Sequence, residues 1–235
     1  MTSADDLDQL YLLLDELSVR LGGPRLLSQC HGRMPWPPRG VYFFFEDGEV
    51  RRDGTPRVVR VGTHGLKAGS DRELWQRLSD HRGTVGGQFP GGGDHRGSVF
   101  RRHVGAAMLR REERLATDPA QSTWGIGSTA PPPVKVLEAA HEQRVSAHIR
   151  AMPFLWLPID DPPGRTSDRG RIERGAIALL SALSNPHADT PSPTWLGNHS
   201  PSWRVAGSGL WNDNHVRQTP DPVVLDLIHQ WVHRV

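Results

Sequence analysis

Arg77 and His81 stand four residues apart in DRELWQRLSDHR (71–82), so on a helix they share one face beside Leu74 and Leu78. A guanidinium suits two-pronged binding of phosphate or carboxylate, and an imidazole can move a proton near neutral pH. Alone, such a pair more often forms a solvated helix edge. Glu173, in RIERGAIALL, lies four residues before Ile177 and seven before Leu180, on the apolar flank of its own helix. A half-buried carboxylate there needs a partner. Either a metal ion or the favourable dipole of a first helical turn would serve. Tyr42, in RGVYFFFEDG (39–48), puts a phenol into an apolar run. If buried, its hydroxyl must find a partner, whether a backbone carbonyl or a site.

Other chemistries lack their residues. The glycine-rich stretch 86–97 has no Lys-Ser/Thr ending and is not a phosphate-cradling loop; a flexible insertion is expected. His95, His103, His141 and His148 match no compact metal-ligand spacing. No Gly-x-Ser-x-Gly elbow occurs, and Cys30 beside His31 is not a credible nucleophile pair, which argues against acyl transfer. Trp195, Trp203 and Trp211 could stack on bases, but packing of a long tail is the better reading.

Two elements must position the first group of residues. Alternation along 39–48 puts Val41, Phe43 and Phe45 on one face and Tyr42 and Phe44 on the other, as in a central strand covered on both sides. A turn at Asp47–Gly48 or Asp53–Gly54 returns the chain into RVVRVG (57–62), completing a hairpin. Around it, TSADDLDQLYLLLDELSVRLGG reads as an amphipathic helix capped by Ser3 and ended by Gly22, with 71–82 as a second helix. Residues 99–115 are helical, 134–152 helix or strand–helix, 153–159 a short apolar strand, and RIERGAIALLSALS a helix striped by Ile172, Ala176, Leu179, Leu180 and Leu183. A closing helix aligns Val224, Leu227, Ile228, Trp231 and Val235. This order implies an α+β fold with a small, three-stranded, mainly antiparallel sheet flanked by helices.

The 235 residues fit one domain with insertions, and 36% hydrophobic content suffices for an ordinary core. A net charge of +2 does not by itself mark a nucleic-acid binder. The single cysteine excludes an internal disulfide and a thiol-rich zinc site. No apolar run reaches transmembrane length and the N-terminus is acidic, so no membrane partner and a cytoplasmic location are expected.

In this order the pieces resemble the GIY-YIG nuclease superfamily. Gly40–Val41–Tyr42 matches the first half of its signature and Val61–Gly62 the end of the second. LWQRLSDHR looks like its first core helix, with Arg77 and His81 in place, and RIERGAIALL supplies the metal-binding Glu173. An asparagine commonly follows that Glu by about a dozen positions; Asn185 fits, with Asn198 and Asn212 as alternates. The resemblance covers roughly 38–82 and 150–186. It divides the chain into a lead-in (1–37), a nuclease core (38–186) with an insertion at about 83–149, and an extension (187–235). Arg60 departs from the pattern, standing where the second signature has its tyrosine, and Thr63–His64 replace a basic residue.

The resemblance implies a metal-dependent endonuclease acting on DNA, with RNA as the other candidate, in restriction or defence. Mg²⁺ or Mn²⁺ would sit on Glu173, Arg77 would clamp the phosphate, and Tyr42, on the open face of the hairpin, would take the proton of the attacking water. His81 or His64 would assist, and Arg60 and the asparagines would contact substrate. A double-strand cutter with one site per chain would act as a homodimer. Rival readings are a catalytically silent nucleic-acid-binding module, which Arg60 motivates, and a protein-interaction module keeping the fold.

Overall fold

The structure is a computed structural model describing residues 4–112, 118–164, 166–221 and 223–235. The helix α1 (Ala4–Leu21) leads to a two-residue strand β1 (Arg25–Leu26). The hairpin β2 (Gly40–Val50) and β3 (Pro56–Gly62) follows, then α2 (Leu74–Arg82), α3 (Val99–Arg111) and α4 (Pro132–Ala151). Strand β4 (Pro153–Pro158) precedes α5 (Asp168–Leu180), the short α6 (Trp203–Ser208) and α7 (Val224–Val232). The strands form one sheet in the order β1-β4-β2-β3, with every neighbouring pair antiparallel.

The small antiparallel sheet expected from the sequence is present, with β1 added as a fourth strand too short to carry an alternation signal. Several element limits differ. Residues 134–151 belong to one helix with no strand, and α5 stops at Leu180, leaving Leu183 exposed. The hairpin turn uses Asp53–Gly54, with Gly54 at φ +83°, a conformation glycine adopts without steric cost. The proposed Ser3 cap, and residues 113–115 at the end of the expected 99–115 helix, lie outside the described residues.

Both faces of β2 are covered, as its residues require. Val41 and Phe43 join a core built with α1, α5 and α7. Tyr42 and Phe44 join a second core with α2, α3 and α4, into which Phe100, Val104, Val145 and Ile149 pack. The expected insertion therefore supplies two of the helices covering this face, and Tyr42 is not on an open face: it is fully buried. The physical reason is that α3 and α4 bring enough apolar surface to close over the sheet.

Strand β3 is an edge, and the C-terminal segment covers it. The Trp211 amide donates to the Val59 carbonyl (2.7 Å). The Asn212 side chain accepts from the Val61 amide (3.1 Å) and donates to its carbonyl (2.8 Å). An exposed row of strand amides and carbonyls is thereby partly satisfied.

Candidate active site

Two glycines fit the strands together where the site forms. Tyr42 is paired with Gly62 across the hairpin. A Cβ on Gly62 would stand 2.5 Å from Tyr42 Cζ and 2.7 Å from Cε2, so the ring occupies the space a side chain would need. A Cβ on Gly40 would stand 2.6 Å from the Leu157 carbonyl oxygen of the neighbouring strand. The signature glycines are thus set by close approach rather than by an unusual backbone angle.

The Tyr42 hydroxyl is 2.7 Å from His81 Nε2, and His81 Nδ1 is 2.7 Å from Ser98 Oγ. His81 is enclosed by the rings of Tyr42, Phe44 and Phe100. Burial, reinforced by the Arg77, Arg60 and Arg101 guanidiniums, holds its pKa well below the ordinary value, so it is neutral at pH 7.

Tyr42 acts electrostatically on both the Arg60 and the Arg77 guanidinium. The register of the hairpin shifts between Phe44 and Phe45, where Val58 rather than Val59 faces Phe45. This bulge puts Val59 and Arg60 on the Tyr42 side of the sheet, as bulges beside sites commonly re-aim a side chain. Arg60 donates to the Trp211 carbonyl (2.6 Å) and lies over the Phe100 ring, while its buried Nε has no hydrogen-bond partner among the described residues. Burial pulls its pKa below the usual guanidinium value. For Arg77 burial acts the same way but is outweighed by Tyr42, Asp80 and Glu173, which raise its pKa. Its Nη1 also donates to the Gly97 carbonyl at 3.1 Å.

Glu173 is half-buried on α5 and accepts the Thr63 amide through Oε1 (3.0 Å). Thr63 in turn donates to the Gly40 carbonyl (2.8 Å), tying the carboxylate to both signature strands. Glu173 is the sixth residue of α5, beyond the first turn where the helix dipole would be its main support. Among the described residues its second oxygen has no hydrogen bond or ion pair. One hard oxygen ligand, with waters and substrate phosphates supplying the rest, is a common way to bind Mg²⁺, so Glu173 fits a metal ligand.

Not every sequence candidate joins this cluster. His64 is buried; burial and the nearby Arg169 guanidinium lower its pKa to about 4, and its carbonyl accepts from Arg169. Asn185 donates to the Leu179 carbonyl (2.6 Å) and accepts the His187 amide (3.0 Å), so it finishes the end of α5. Asn198 donates to the Ser192 and Pro193 carbonyls in the tail. Asn212 comes nearest, holding Val61 beside Gly62. The sequence reading missed Ser98. Its signal was a serine directly before the helical run VFRRHV, where it acts as N-cap and accepts the Arg101 amide.

Asp94, His95 and Glu142 bring potential metal-ligand atoms within 4.8 Å of one another. These groups are already engaged. The Gly125 amide donates to His95 Nε2 (3.0 Å), His95 Nδ1 donates to Glu142 (2.9 Å), and Arg101 pairs with the same carboxylate. His103, His141 and His148 stand beside different carboxylates, Asp213, Asp118 and Glu46, so among the described residues the scattered histidines form no common site. Trp195 and Trp211 are buried and both donate to Glu46, whereas Trp203 is exposed.

A family model described as the GIY-YIG domain matches residues 1–235. The chain belongs to the GIY-YIG family. That family is one of nucleases, generally metal-dependent, so a nucleic acid is the implied substrate. Searches of curated proteins and of solved structures returned no match. In this GIY-YIG chain a buried arginine, Arg60, stands directly before Val61–Gly62 and donates to the Trp211 carbonyl. No helix among the described residues is long and apolar enough to cross a membrane.

Proposed function

We propose that this chain is a metal-dependent endonuclease that hydrolyses DNA phosphodiester bonds, using Tyr42, Arg60, Arg77, His81 and Glu173. The observation carrying this reading is the hydrogen-bonded Tyr42–His81 pair, with Arg60 and Arg77 acting electrostatically on Tyr42, beside a carboxylate anchored on both signature strands. Hydrolysis must offset negative charge on a phosphorane-like transition state and remove a proton from the attacking water.

Arg77 binds the scissile phosphate, and Arg60 adds a second cation where relatives offer a phenol. Tyr42 takes the water's proton on its phenolic oxygen. His81 is neutral and holds Tyr42 in place. Glu173 would hold Mg²⁺ or Mn²⁺, which when bound supplies Lewis-acid help worth several kcal/mol. His64, depressed to about 4 and set beside Arg169, is a weaker candidate for proton transfer. In this reading residues 38–186 form the nuclease core, with 1–37 and 187–235 as its extensions.

The test is cleavage of supercoiled plasmid by purified protein with Mg²⁺, with Mn²⁺ and with chelator. Metal-dependent nicking or linearisation by wild type is expected, and none by Glu173→Gln, with DNA affinity largely kept. A Glu173→Gln protein that cuts at the wild-type rate removes Glu173 from the metal. Salt-dependent DNA binding without cleavage under any metal would favour the silent binding module that Arg60 raises.

A further inference from the structure

Arg72 lies just before α2, and its Nη2 donates to Oδ2 of Asp80, near the end of that helix. The same carboxylate oxygen stands 3.7 Å from Arg77 Nη1. One oxygen is thus shared by two guanidiniums. The backbone of Arg72 is fixed as well. Its amide donates to Ser70 Oγ (3.3 Å), and its carbonyl oxygen would stand 3.1 Å from a Cβ on Gly65. Gly65 follows two residues after Thr63, whose amide holds Glu173. Arg72 therefore borders the site, and its charge acts on both His64 and His81.

Burial raises the Asp80 pKa while both guanidiniums lower it, and burial prevails. A solvated helix edge would not need a carboxylate kept at that cost. Two cations against one anion leave the trio net positive. The Arg77 side chain is 18% exposed and that of Arg72 42%, so Arg77 lies inside and Arg72 faces solvent. Among the described residues the Arg72 side chain donates only through Nη2, which leaves Nε and Nη1 for an anion. An ion pair this exposed is weak, so Arg72 can share its guanidinium with an incoming phosphate.

We propose that Arg72 is a second phosphate-binding residue of this site: Asp80 sets it beside Arg77, so that Arg77 takes the scissile phosphate and Arg72 the next phosphate of the same strand. This deepens the nuclease reading above and rests on it. The substrate it implies is a chain of successive phosphodiesters, with Asp80 as a positioning residue.

The test is the salt dependence of duplex DNA binding by the full chain with chelator present, followed by plasmid cleavage with Mg²⁺. Loss of one phosphate contact makes the slope of log K against log[salt] shallower by about 0.9. Arg72→Ala should show that change and a higher KM, with kcat within about 2-fold of wild type. Arg72→Lys, which keeps a point charge, should restore the slope. Arg20→Ala removes the same charge from α1, which packs in the core on the other face of β2, and should leave the slope unchanged. An unchanged slope in Arg72→Ala, or an equal change in Arg20→Ala, overturns the phosphate contact. Asp80→Asn keeps the size of the side chain and removes the charge that aligns the two guanidiniums. Its kcat should fall at least about 10-fold with the salt slope undiminished; a wild-type kcat overturns the positioning role. If wild type binds DNA but cuts none with any metal, the nuclease reading fails, while the slope still decides whether Arg72 holds a phosphate.

Discussion

Gly62→Ala adds one methyl group where the hairpin has room for none. The new Cβ would be 2.5 Å from Tyr42 Cζ, whereas carbon atoms in contact prefer about 3.5–4.0 Å. The ring or the strand must therefore move by roughly 1 Å. The ring has little freedom, since Phe44 and His81 meet it edge-on at centroid distances of 5.7 and 5.4 Å. Overpacking of this kind costs about 1–3 kcal/mol, equivalent to a fall of several degrees in Tm for a chain of this size. The displaced hydroxyl also loses its place against His81. A misplacement of about 1 Å can lower a rate about 10²-fold. Thermal melts and initial rates of plasmid nicking measure the two effects. Gly86→Ala is the control, because a Cβ there meets nothing within 4 Å and no positive φ is at stake. A folded Gly62→Ala protein that nicks plasmid at the wild-type rate would show that the placement of Tyr42 is not what the reaction needs.

Tyr42→Phe should lower turnover by about 10²–10⁴ if the phenol handles the proton, and cost about 1–3 kcal/mol by leaving His81 Nε2 buried without its partner; a destabilised protein in denaturant melts with near-normal cleavage would return Tyr42 to the core. Arg77→Ala should reduce the cleavage rate by about 10²–10³ and DNA affinity far less, so equal losses in the two assays would make Arg77 an ordinary phosphate contact. His64 and His103 have folded pKa values lowered to about 4, by burial first in each case. The unfolded chain therefore takes up these protons first, near pH 6.5, and stability present above that pH is lost as pH falls towards 4. Each contributes on the order of 3 kcal/mol at most, and urea midpoints that stay level between pH 7 and 4.5 would refute the assignment.

The sequence made the hairpin and most helices visible because their periodicities are unbroken: Val41, Tyr42, Phe43 and Phe44 announce a strand covered twice. It hid β1, whose two residues carry no pattern. It also hid the true position of Tyr42, because α3 and α4 looked like an appended insertion rather than one wall of the core. Arg77, His81 and Glu173 stood out as candidates from helical spacing and signature order. Asn185 satisfied the spacing to Glu173, yet its groups end a helix; Asn212 reaches the signature strand only through a fold that brings residues 61 and 212 together. Spacing along a chain does not carry such contacts. Ser98 was missed for the same reason, since its link to His81 spans a glycine-rich loop.

The pairing of Trp211 and Asn212 with β3 bears on the order of assembly during synthesis. Arg60 is held by the Trp211 carbonyl, and Val61 by Asn212. A ribosome-bound chain halted before residue 211 would contain both signature strands, α2 and Glu173, but β3 would be an unlatched edge. Competence would arrive only when the last part of the polypeptide swings back onto a segment made some 150 residues earlier. Stalled chains released at successive lengths would then gain protease resistance of β3 and nuclease activity together, late, as Trp211 and Asn212 emerge.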